Sequence, residues 1–338
     1  SVEIAEAINS LDLPPSKIDI GKLTYEYHLE DDKYNDAKAF VIDKLKDAKG
    51  TNEIKPKDVV LYGFGRIGRL LAREMMSKMG KGQQLRLRAI VTRDKSDATL
   101  LEKRASLLRY DSVHGDFEGS VEADAENNAL IINGTTVHII TANGPEDIDY
   151  TAYGIEDALV IDNTGAFTTE EALKRHLTSK GAAKVLLTAP GKGVPNIVHG
   201  VNHEEYNPDT VDIFSAASCT TNAITPILKA VEDTLGVVKG HLETIHAYTN
   251  DQNLVDNMHK KYRRGRKLTS NAIRVPVPNG SLVVLNLEVG KETSVEDVNN
   301  IMKKYALEGK LVEQIKYSLN NELVSSDIVG TSAPSIFD

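Results

Sequence analysis

The chain has 338 residues, of which 41% are hydrophobic and 26% charged, and its formal net charge is −9. This length accommodates two ordinary domains with an appendage. The negative charge argues against nucleic acid as a partner, because binding to a phosphate backbone depends on a cationic surface. The local exception is the basic run "HKKYRRGRK", from His259 to Lys267. A solvated face explains this run most simply, with an anionic ligand or a subunit contact as the alternatives.

The chain shows no sign of export or membrane insertion. No apolar run approaches the ~18 residues that a membrane-spanning helix needs. The first residues lack the cationic start and apolar core of a signal peptide. The single cysteine excludes an internal disulfide framework and a cysteine-based metal site. We therefore expect a cytoplasmic protein without a membrane partner and without a bound metal.

Residues 1–57 differ in character from the rest of the chain. They are charged, and Pro14-Pro15 and Gly50 interrupt them. Apolar residues at helical spacing predict two helices, near 1–11 and 34–48. The segment carries no recognisable chemistry, so we interpret it as a short helical extension that docks or contacts another subunit.

Residues 58–218 alternate between strands and helices. "DVVLYGFGRIGRLLAREMMSKM" begins as a β-branched strand and continues as an amphipathic helix. The segments "LRLRAIVTRD", "TTVHIIT", "DALVIDNTG" and "AKVLLTAP" predict further strands, and "TTEEALKRHLTSKG" predicts a helix. Such alternation predicts a parallel sheet with helices on both faces. We therefore expect an α/β Rossmann-type dinucleotide-binding domain here.

Residues 219–338 follow a different pattern. A helix is predicted from Cys219 to about Leu235, and long strands follow in "VVKGHLETIHAYT" and "SNAIRVPVPNGSLVVLNLEVG". A last helix is predicted in "SVEDVNNIMKKYALEG". Because long strands succeed one another, we expect an α+β catalytic domain with a mostly antiparallel sheet.

A glycine-rich turn follows the first strand of the α/β region. Gly63, Gly65 and Gly68 match the pattern G-x-G-x-x-G between a strand and a helix. In this context the glycines allow a tight turn, a close approach to a pyrophosphate and close helix packing. Asp94 ends the next strand and is predicted to bind the ribose hydroxyls. Arg93 beside it would accept a 2′-phosphate, so NAD is favoured and NADP stays open.

The only cysteine lies where a strand gives way to a helix. A thiolate at a helix N-terminus is stabilised by the helix dipole, which increases its nucleophilicity. Ser218 and Thr220 flank Cys219 with hydroxyl groups. A reactive thiol also needs a base, and His246 is one of nine histidines that could serve.

Several motifs together resemble the phosphorylating glyceraldehyde-3-phosphate dehydrogenase family. They include "YGFGRIGR", "LLRYDSVHG", "SCTTN", "HAYTNDQ" and "NAIRVPVPNGS", in the order of the family. The resemblance runs from about Val59 to the end. It implies a homotetramer that oxidises glyceraldehyde 3-phosphate with NAD and inorganic phosphate, in glycolysis or gluconeogenesis.

The resemblance also implies roles for particular residues. Cys219 would be the nucleophile and His246 its base. The substrate and the attacking phosphate would be bound by Ser218, Thr220, Thr249 and Arg274. The dinucleotide would be bound by the glycine-rich turn and by Arg66, Ile67, Asp94, Thr164, Gly165 and Thr188.

The chain departs from the family pattern in three places. The 57-residue extension is additional. A longer loop is expected in the family between the positions of Arg266 and Lys267, and a further strand and helix are expected after "SIFD". We interpret the loop and the final segment as missing from the given sequence. A trans-peptide Cα spacing of 3.80 Å between Arg266 and Lys267 would contradict the missing loop.

Two alternative functions stay open at this point. One is the same chemistry on another sugar-phosphate aldehyde, such as erythrose 4-phosphate. The other is a regulatory or scaffold relative that binds partners through the extension. The presence of both Cys219 and His246 favours catalysis.

Overall fold

The structure is a computed structural model that describes residues 1–11, 13–14, 16, 18–46, 55–80, 82–95, 97–247, 273–277 and 279–338. Among these residues, no helix combines the length and the apolar character needed to cross a bilayer. The junction of Arg266 with Lys267 and the basic run from His259 lie outside the described residues.

The N-terminal extension forms three short helices around its own core. They are α1 (Val2–Asn9), α2 (Ile20–Leu29) and α3 (Ala37–Lys44). Ile4, Phe40 and Val41 are almost fully buried between them. The prediction of two helices missed α2, which begins after Asp19. The Asp19 side chain accepts a hydrogen bond from the Lys22 N–H and caps the helix.

An eight-stranded sheet forms the centre of the molecule. The strands and helices of this part of the chain are, in order, β1 (Lys57–Tyr62), α4 (Arg66–Ser77), β2 (Leu85–Thr92), α5 (Ala98–Arg109), β3 (Tyr110–Asp111), β4 (Gly115–Asp116), β5 (Val121–Asp124), β6 (Ala129–Ile132), β7 (Thr135–Thr141), β8 (Ala158–Asp162), α6 (Glu170–Leu177), β9 (Ala182–Leu187) and β10 (Ile213–Ser215). The short strands β3 and β4 pair outside this sheet.

The strand order is that of a Rossmann fold. Strands run β10-β9-β8-β1-β2-β7-β6-β5, and all neighbours from β10 to β7 are parallel. If the six parallel strands β1, β2, β7, β8, β9 and β10 are numbered 1 to 6, they lie in the order 6-5-4-1-2-3. This is the Rossmann order 3-2-1-4-5-6 read in reverse, and its topological switch lies between β1 and β8. The predicted Rossmann-type domain is confirmed. The antiparallel edge strands β5 and β6 and the helix α5 were not predicted.

Both faces of the central sheet are covered, as in parallel sheets generally. Val59 and Leu61 of β1 belong to one buried cluster, and Val60 and Tyr62 belong to another. Alternate residues therefore point to opposite faces. This burial explains why β1 reads as a continuous apolar run that ends at the glycine-rich turn.

The C-terminal part is α+β, with a mixed sheet. It contains α7 (Cys219–Leu235), β11 (Val237–Ala247), β12 (Ile273–Val275), β13 (Ser281–Val289), α8 (Val295–Leu307), β14 (Ile315–Tyr317) and β15 (Ser335–Phe337). Strands β11 and β13 form a long antiparallel pair, and β12 adds to β11 in parallel. The segment predicted as one long strand is two, because Pro276 and the Asn279-Gly280 turn separate β12 from β13. The domain limits 1–57, 58–218 and 219–338 stay a prediction.

The separate core of the extension leads to a first prediction. Phe40 is 0% exposed, and replacing it with alanine in a core costs about 3–5 kcal/mol. So small a helical unit is only marginally stable, so Phe40→Ala should unfold the extension and leave the central sheet intact. Limited proteolysis should then cleave within residues 1–46 and spare the remainder.

The matched control is Leu29→Ala, because Leu29 is 66% exposed. This variant should resist protease like the wild type. Equal resistance of Phe40→Ala and wild type would show that the extension does not depend on this core.

Candidate active site

The predicted cofactor residues and Cys219 follow the carboxyl ends of five adjacent parallel strands. In spatial order the strands are β2, β1, β8, β9 and β10. The residues that follow them, in the same order, are Asp94, the turn Gly63–Gly68, then Thr164 and Gly165, then Thr188, and finally Cys219. Ligands of open α/β sheets bind at this edge. The fold thus aligns the predicted cofactor residues along one edge, with the cysteine at its end.

The three glycines of the turn differ in how closely other atoms approach them. Gly63 has φ +100°, and a Cβ there would lie 2.9 Å from Thr164 Cγ2. A Cβ on Gly68 would lie 2.5 Å from the Gly63 carbonyl oxygen. A Cβ on Gly65 would meet no atom within 4 Å. Gly63 and Gly68 therefore shape the turn, whereas Gly65 borders open space.

The start of α4 is suited to an anion. Gly65 is its N-cap and supplies no side-chain hydrogen bond, so the first N–H groups of the helix have no capping side chain. Such groups bind phosphates readily. Ile67 is exposed beside them. These features fit a dinucleotide.

Arg66 lies beside a buried carboxylate. Its Nε is 3.9 Å from Asp111 Oδ2. Burial acts to raise the pKa of Asp111, but hydrogen bonds from the His114 backbone and ring and from the Val113 backbone outweigh it and lower the pKa to about 2. Asp111 is therefore a permanent anion near neutral pH and an electrostatic partner for Arg66.

The end of β8 is held by a buried pair. Asp162 and His176 are both fully buried, with Oδ2 and Nε2 2.9 Å apart. The other carboxylate oxygen accepts hydrogen bonds from the Thr164 N–H and hydroxyl, at 2.8 and 2.7 Å. Thr188 donates its hydroxyl to the Asp162 carbonyl oxygen at 3.0 Å. Thr164 and Thr188 are thus fixed at the sheet edge, and Gly165 follows in the left-handed region at φ +67°.

A cleft of about 510 Å³ opens over β1, β2 and α5. Gly63, Asp94 and Thr164 line it together with apolar side chains such as Leu100 and Ala142. The Asp94 side chain is 79% exposed. Its backbone carbonyl accepts a hydrogen bond from the Thr141 hydroxyl at 3.2 Å. The carboxylate is thus exposed, with Arg104 Nη2 3.9 Å from its Oδ2, while its backbone is anchored.

Cys219 is the first residue of α7 and is exposed. Ser218 is the N-cap and accepts a hydrogen bond from the Thr221 N–H at 3.0 Å. The Thr220 hydroxyl oxygen is 4.0 Å from Cys219 Sγ. This placement confirms the strand-to-helix turn, and it puts the sulfur where the helix dipole stabilises negative charge.

The turn before Cys219 is strained and tightly held. Ala217 has φ +60°, which is unfavourable for a residue with a Cβ. Its N–H donates to Ser215 Oγ at 2.9 Å. Asn222 Nδ2 donates to the carbonyl oxygens of Ala216 and Ser218, at 2.7 and 2.9 Å. Ser215 and Asn222 therefore position the thiol, although the sequence analysis assigned neither a role.

His246 directly contacts the cysteine. Its Nε2 is 3.2 Å from Cys219 Sγ, and its Nδ1 is 2.7 Å from the Ala247 carbonyl oxygen. The carbonyl can only accept, so Nδ1 carries the proton and Nε2 is free to accept the thiol proton. Among the histidines in the described part of the chain, this is the one whose ring contacts the sulfur.

The environment of His246 favours its neutral form. Burial, the largest influence, lowers the pKa of His246 below its usual 6.5. The hydrogen bond to Ala247 acts in the opposite direction, and the charge of Arg274 lowers the pKa further. A neutral imidazole at physiological pH is the form that a general base needs.

Arg274 lies opposite His246 in the β11–β12 pair. Its Nη1 donates to the Ala247 carbonyl oxygen at 3.1 Å. Its Nε is buried and has no hydrogen-bond partner within the described part of the chain. This unused donor suits an anionic group. Thr249, predicted beside it, lies outside the described residues.

Comparisons with known proteins identify the family. Residues 57–170 match the family described as "Glyceraldehyde 3-phosphate dehydrogenase, NAD binding domain". Residues 218–271 and 266–338 match the corresponding "C-terminal domain". The chain belongs to the glyceraldehyde-3-phosphate dehydrogenase family, and NAD is its cofactor. It is therefore an oxidoreductase of this family.

Three relatives illustrate the range of similarity. A "Glyceraldehyde-3-phosphate dehydrogenase-like protein" of Pseudomonas aeruginosa is 46% identical over 99% of this chain and 78% of its own length. "Glyceraldehyde-3-phosphate dehydrogenase 2" of Trichormus variabilis is 38% identical, over 83% of this chain and 87% of its own. The "Glyceraldehyde-3-phosphate dehydrogenase" of Thermotoga maritima is 39% identical over 83% of this chain and 88% of its own length.

These coverages bear on the extension and on the expected loop. A share of 83% of 338 residues is about 281, the number that remains after the first 57. The Pseudomonas relative, by contrast, aligns over nearly the whole chain, extension included. The C-terminal family match consists of two segments, 218–271 and 266–338, which overlap at residues 266–271. The sequence analysis expects the missing loop at this place, between Arg266 and Lys267.

The pKa of His246 gives a second prediction. In a Cys219→Ala variant, which removes the coupled thiol, NMR titration of the His246 ring should give a midpoint below 6.5, because burial and Arg274 disfavour the charged form. Arg274→Gln in the same background should raise that midpoint. In the wild-type protein, activity that needs the neutral His246 ring should consequently persist as pH falls through 6.5 and be lost at a lower pH.

A midpoint at or above 6.5 in Cys219→Ala would contradict the assignment. It would mean that the charged ring is stabilised in the folded protein and that His246 is a poor base at physiological pH.

Proposed function

We propose that the protein is a phosphorylating glyceraldehyde-3-phosphate dehydrogenase that forms a thioester on Cys219. The observation that carries the proposal is the 3.2 Å contact between Cys219 Sγ and His246 Nε2 at the N-terminus of α7. The contact lies at the end of the sheet edge that carries the predicted cofactor residues. A nucleophile, its base and a dinucleotide site thereby converge.

The first step is addition of sulfur to the aldehyde. Cys219 gives its proton to His246 Nε2, and the thiolate attacks the aldehyde carbon. The resulting alkoxide takes the proton back from His246 and becomes the hydroxyl of a hemithioacetal. The backbone N–H of Cys219 is a donor for the developing oxyanion.

The second step is oxidation, and the third is phosphorolysis. Bound NAD supplies the oxidant that accepts the hydride from the hemithioacetal carbon. His246 removes the hydroxyl proton, which leaves a thioester on Cys219. An oxygen of inorganic phosphate then attacks the thioester carbonyl, the C–S bond breaks, and the acyl phosphate leaves. The thiolate is restored.

The two anionic groups of this reaction need separate donors. Arg274 is proposed to bind the substrate phosphate, and its partnerless buried Nε supports this role. Thr249 is proposed to assist it. Ser218 and Thr220 are proposed to bind the attacking phosphate, since both lie in the first turn of α7 or at its cap beside the sulfur.

The proposed dinucleotide contacts follow the sheet edge. The turn Gly63–Gly68, with Arg66 and Ile67, would hold the pyrophosphate, and Asp94 would accept the ribose hydroxyls. Thr164, Gly165 and Thr188 would line the nicotinamide half. The open space at Gly65 and the exposed Asp94 carboxylate support this allocation.

We also propose that the chain forms a homotetramer and acts in the cytoplasm, in glycolysis or gluconeogenesis. The outer face of the β11–β13 sheet exposes Ile273, Leu282 and Val284 together. A contiguous apolar face of this kind favours burial against another subunit.

A regulatory role through the extension is the second candidate. The three-helix extension has its own core, and the relative that shares the extension carries the name "glyceraldehyde-3-phosphate dehydrogenase-like". Deleting residues 1–57 and measuring both activity and oligomer size would separate this role from catalysis.

The direct test is Cys219→Ser. Turnover of glyceraldehyde 3-phosphate with NAD should fall by roughly three orders of magnitude or more, because a hydroxyl is far less ionised than a thiol and no thioester can form. Thr225→Val is the matched control, because Thr225 lies further along α7 and bonds only to the Thr221 carbonyl oxygen. This control should retain near-wild-type turnover.

The same assay should compare glyceraldehyde 3-phosphate with erythrose 4-phosphate, each with and without inorganic phosphate. We expect the first substrate to be preferred and sustained turnover to require phosphate. Faster oxidation of erythrose 4-phosphate would favour the alternative substrate. Turnover that is independent of phosphate, or that survives in Cys219→Ser, would overturn the proposal.

A further inference from the structure

A hydrogen bond outside the candidate active site joins the β3–β4 hairpin to the C-terminal sheet. His114 lies between β3 and β4, and Asn279 lies in the turn between β12 and β13. His114 Nε2 and Asn279 Nδ2 are 3.0 Å apart, although 165 residues separate them in the chain, and the contact is partly buried. It ties the turn that precedes β13 to the part of the molecule that carries the glycine-rich turn.

The direction of each hydrogen bond around this contact follows from its neighbours. The Gly280 N–H can only donate, and it lies 2.8 Å from Asn279 Oδ1, so the amide nitrogen of Asn279 faces His114. That nitrogen can only donate, so His114 Nε2 accepts and Nδ1 carries the ring proton. Nδ1 lies 3.0 Å from Asp111 Oδ1. The neutral ring thus uses both its donor and its acceptor.

Asp111 holds the ring of His114 from the other side. Its Oδ1 also accepts the backbone N–H groups of Val113 and His114, each at 3.0 Å. The side chain of Asp111 is 7% exposed. A carboxylate that accepts from one ring nitrogen decides which tautomer the histidine adopts. The orientation of His114 towards Asn279 is therefore set by Asp111.

The turn at Asn279 leads directly to the proposed base. The Gly280 carbonyl oxygen accepts a hydrogen bond from the Ala247 N–H at 3.0 Å. The Ala247 carbonyl oxygen in turn accepts the proton-bearing Nδ1 of His246 at 2.7 Å. His246 pairs with Ser281, the residue after Gly280, in the β11–β13 ladder. A displacement of the turn at Asn279 would therefore displace the peptide group that fixes His246.

We propose that His114 is a positioning residue for the base, and that Asp111, His114 and Asn279 form a clamp on the end of β11. The clamp acts through the hydrogen bond between Gly280 and Ala247. It holds the strand in the position that brings the His246 ring to the thiol. This inference rests on the proposed role of His246 and adds the residues that keep it in place.

Two substitutions at position 114 separate the two sides of the clamp. An asparagine amide reaches the position of Nδ1, so His114→Asn keeps a donor for Asp111 and loses the acceptor for Asn279. A glutamine amide reaches the position of Nε2, so His114→Gln keeps the acceptor for Asn279 and loses the donor for Asp111. The measurement is NMR of the His246 ring, on the full chain in the Cys219→Ala background.

His114→Asn should release the His246 ring, and His114→Gln should largely retain it. In His114→Asn, the ratio of rings protonated on Nε2 to rings protonated on Nδ1 should rise by about fivefold or more, because the bond to the Ala247 carbonyl is weakened. The titration midpoint should also move up towards 6.5, since burial is the main cause of the lowered pKa of His246.

Two further variants keep the test decisive. Asn279→Ala removes the other partner of the contact and should release the His246 ring as His114→Asn does, so the test does not depend on the folding of one variant. His241→Asn is the matched control, because His241 also lies on β11 but is 70% exposed and contacts Glu243. It should leave the tautomer and the midpoint of His246 unchanged.

The proposal is overturned if His114→Asn and Asn279→Ala fold and leave the His246 tautomer as it is in the Cys219→Ala parent. It is equally overturned if His114→Gln releases the ring and His114→Asn does not, because His114 would then hold only its own turn. All the variants lack the thiol, so the tautomer comparison is independent of whether Cys219 forms a thioester. A parent midpoint at or above 6.5 would contradict His246 as the base, whereas the tautomer comparison alone decides the clamp.

Discussion

The proposed chemistry requires the 3.2 Å contact between Cys219 Sγ and His246 Nε2. The two residues come from separately built elements, the first turn of α7 and the strand β11. The turn into α7 contains Ala217 in a left-handed conformation, and Ser215 and Asn222 hydrogen-bond to the backbone around it. On the other side, the Ala247 carbonyl oxygen fixes the tautomer of His246. Small shifts in either element would separate sulfur from base.

One edge of the parallel sheet carries the residues that are proposed to bind the cofactor beside this pair. Because neighbouring strands end at a common edge, residues distant in sequence come into one line, from Asp94 after β2 to Cys219 after β10. Five adjacent strands are about 19 Å wide at 4.8 Å per strand step, so a ligand that reaches from one end to the other must be extended. At the turn after β1, Gly65 rather than a charged side chain borders the open space proposed for the pyrophosphate.

The sequence predicted the fold class and most of the central strands, because the apolar runs and glycine-rich turns are local signals. Cys219 could be proposed as the nucleophile for the same reason, since a lone cysteine between hydroxyl residues at a helix start is unusual. His246 needed the family resemblance, because the packing of β11 against α7 brings it to a sulfur 27 residues earlier in the chain, and no local pattern indicates that. Asn222 and Ser215 act on the backbone, and no residue pattern indicates that. Helix α5 was not predicted, so the sequence analysis did not identify Lys103 and Arg104 as residues that line the cleft. The helix α2 was missed because its cap, Asp19, follows a proline-rich break.

The most direct measurement is the rate of alkylation of Cys219 by iodoacetamide at pH 6.5, where a free thiol is mostly protonated. With one cysteine in the chain, the labelled site is unambiguous. If the helix terminus and the imidazole create a sulfur anion, the wild type should react at least about tenfold faster than glutathione, and His246→Asn should lose much of that advantage. A wild-type rate no greater than that of glutathione, with the protein folded, would contradict the account.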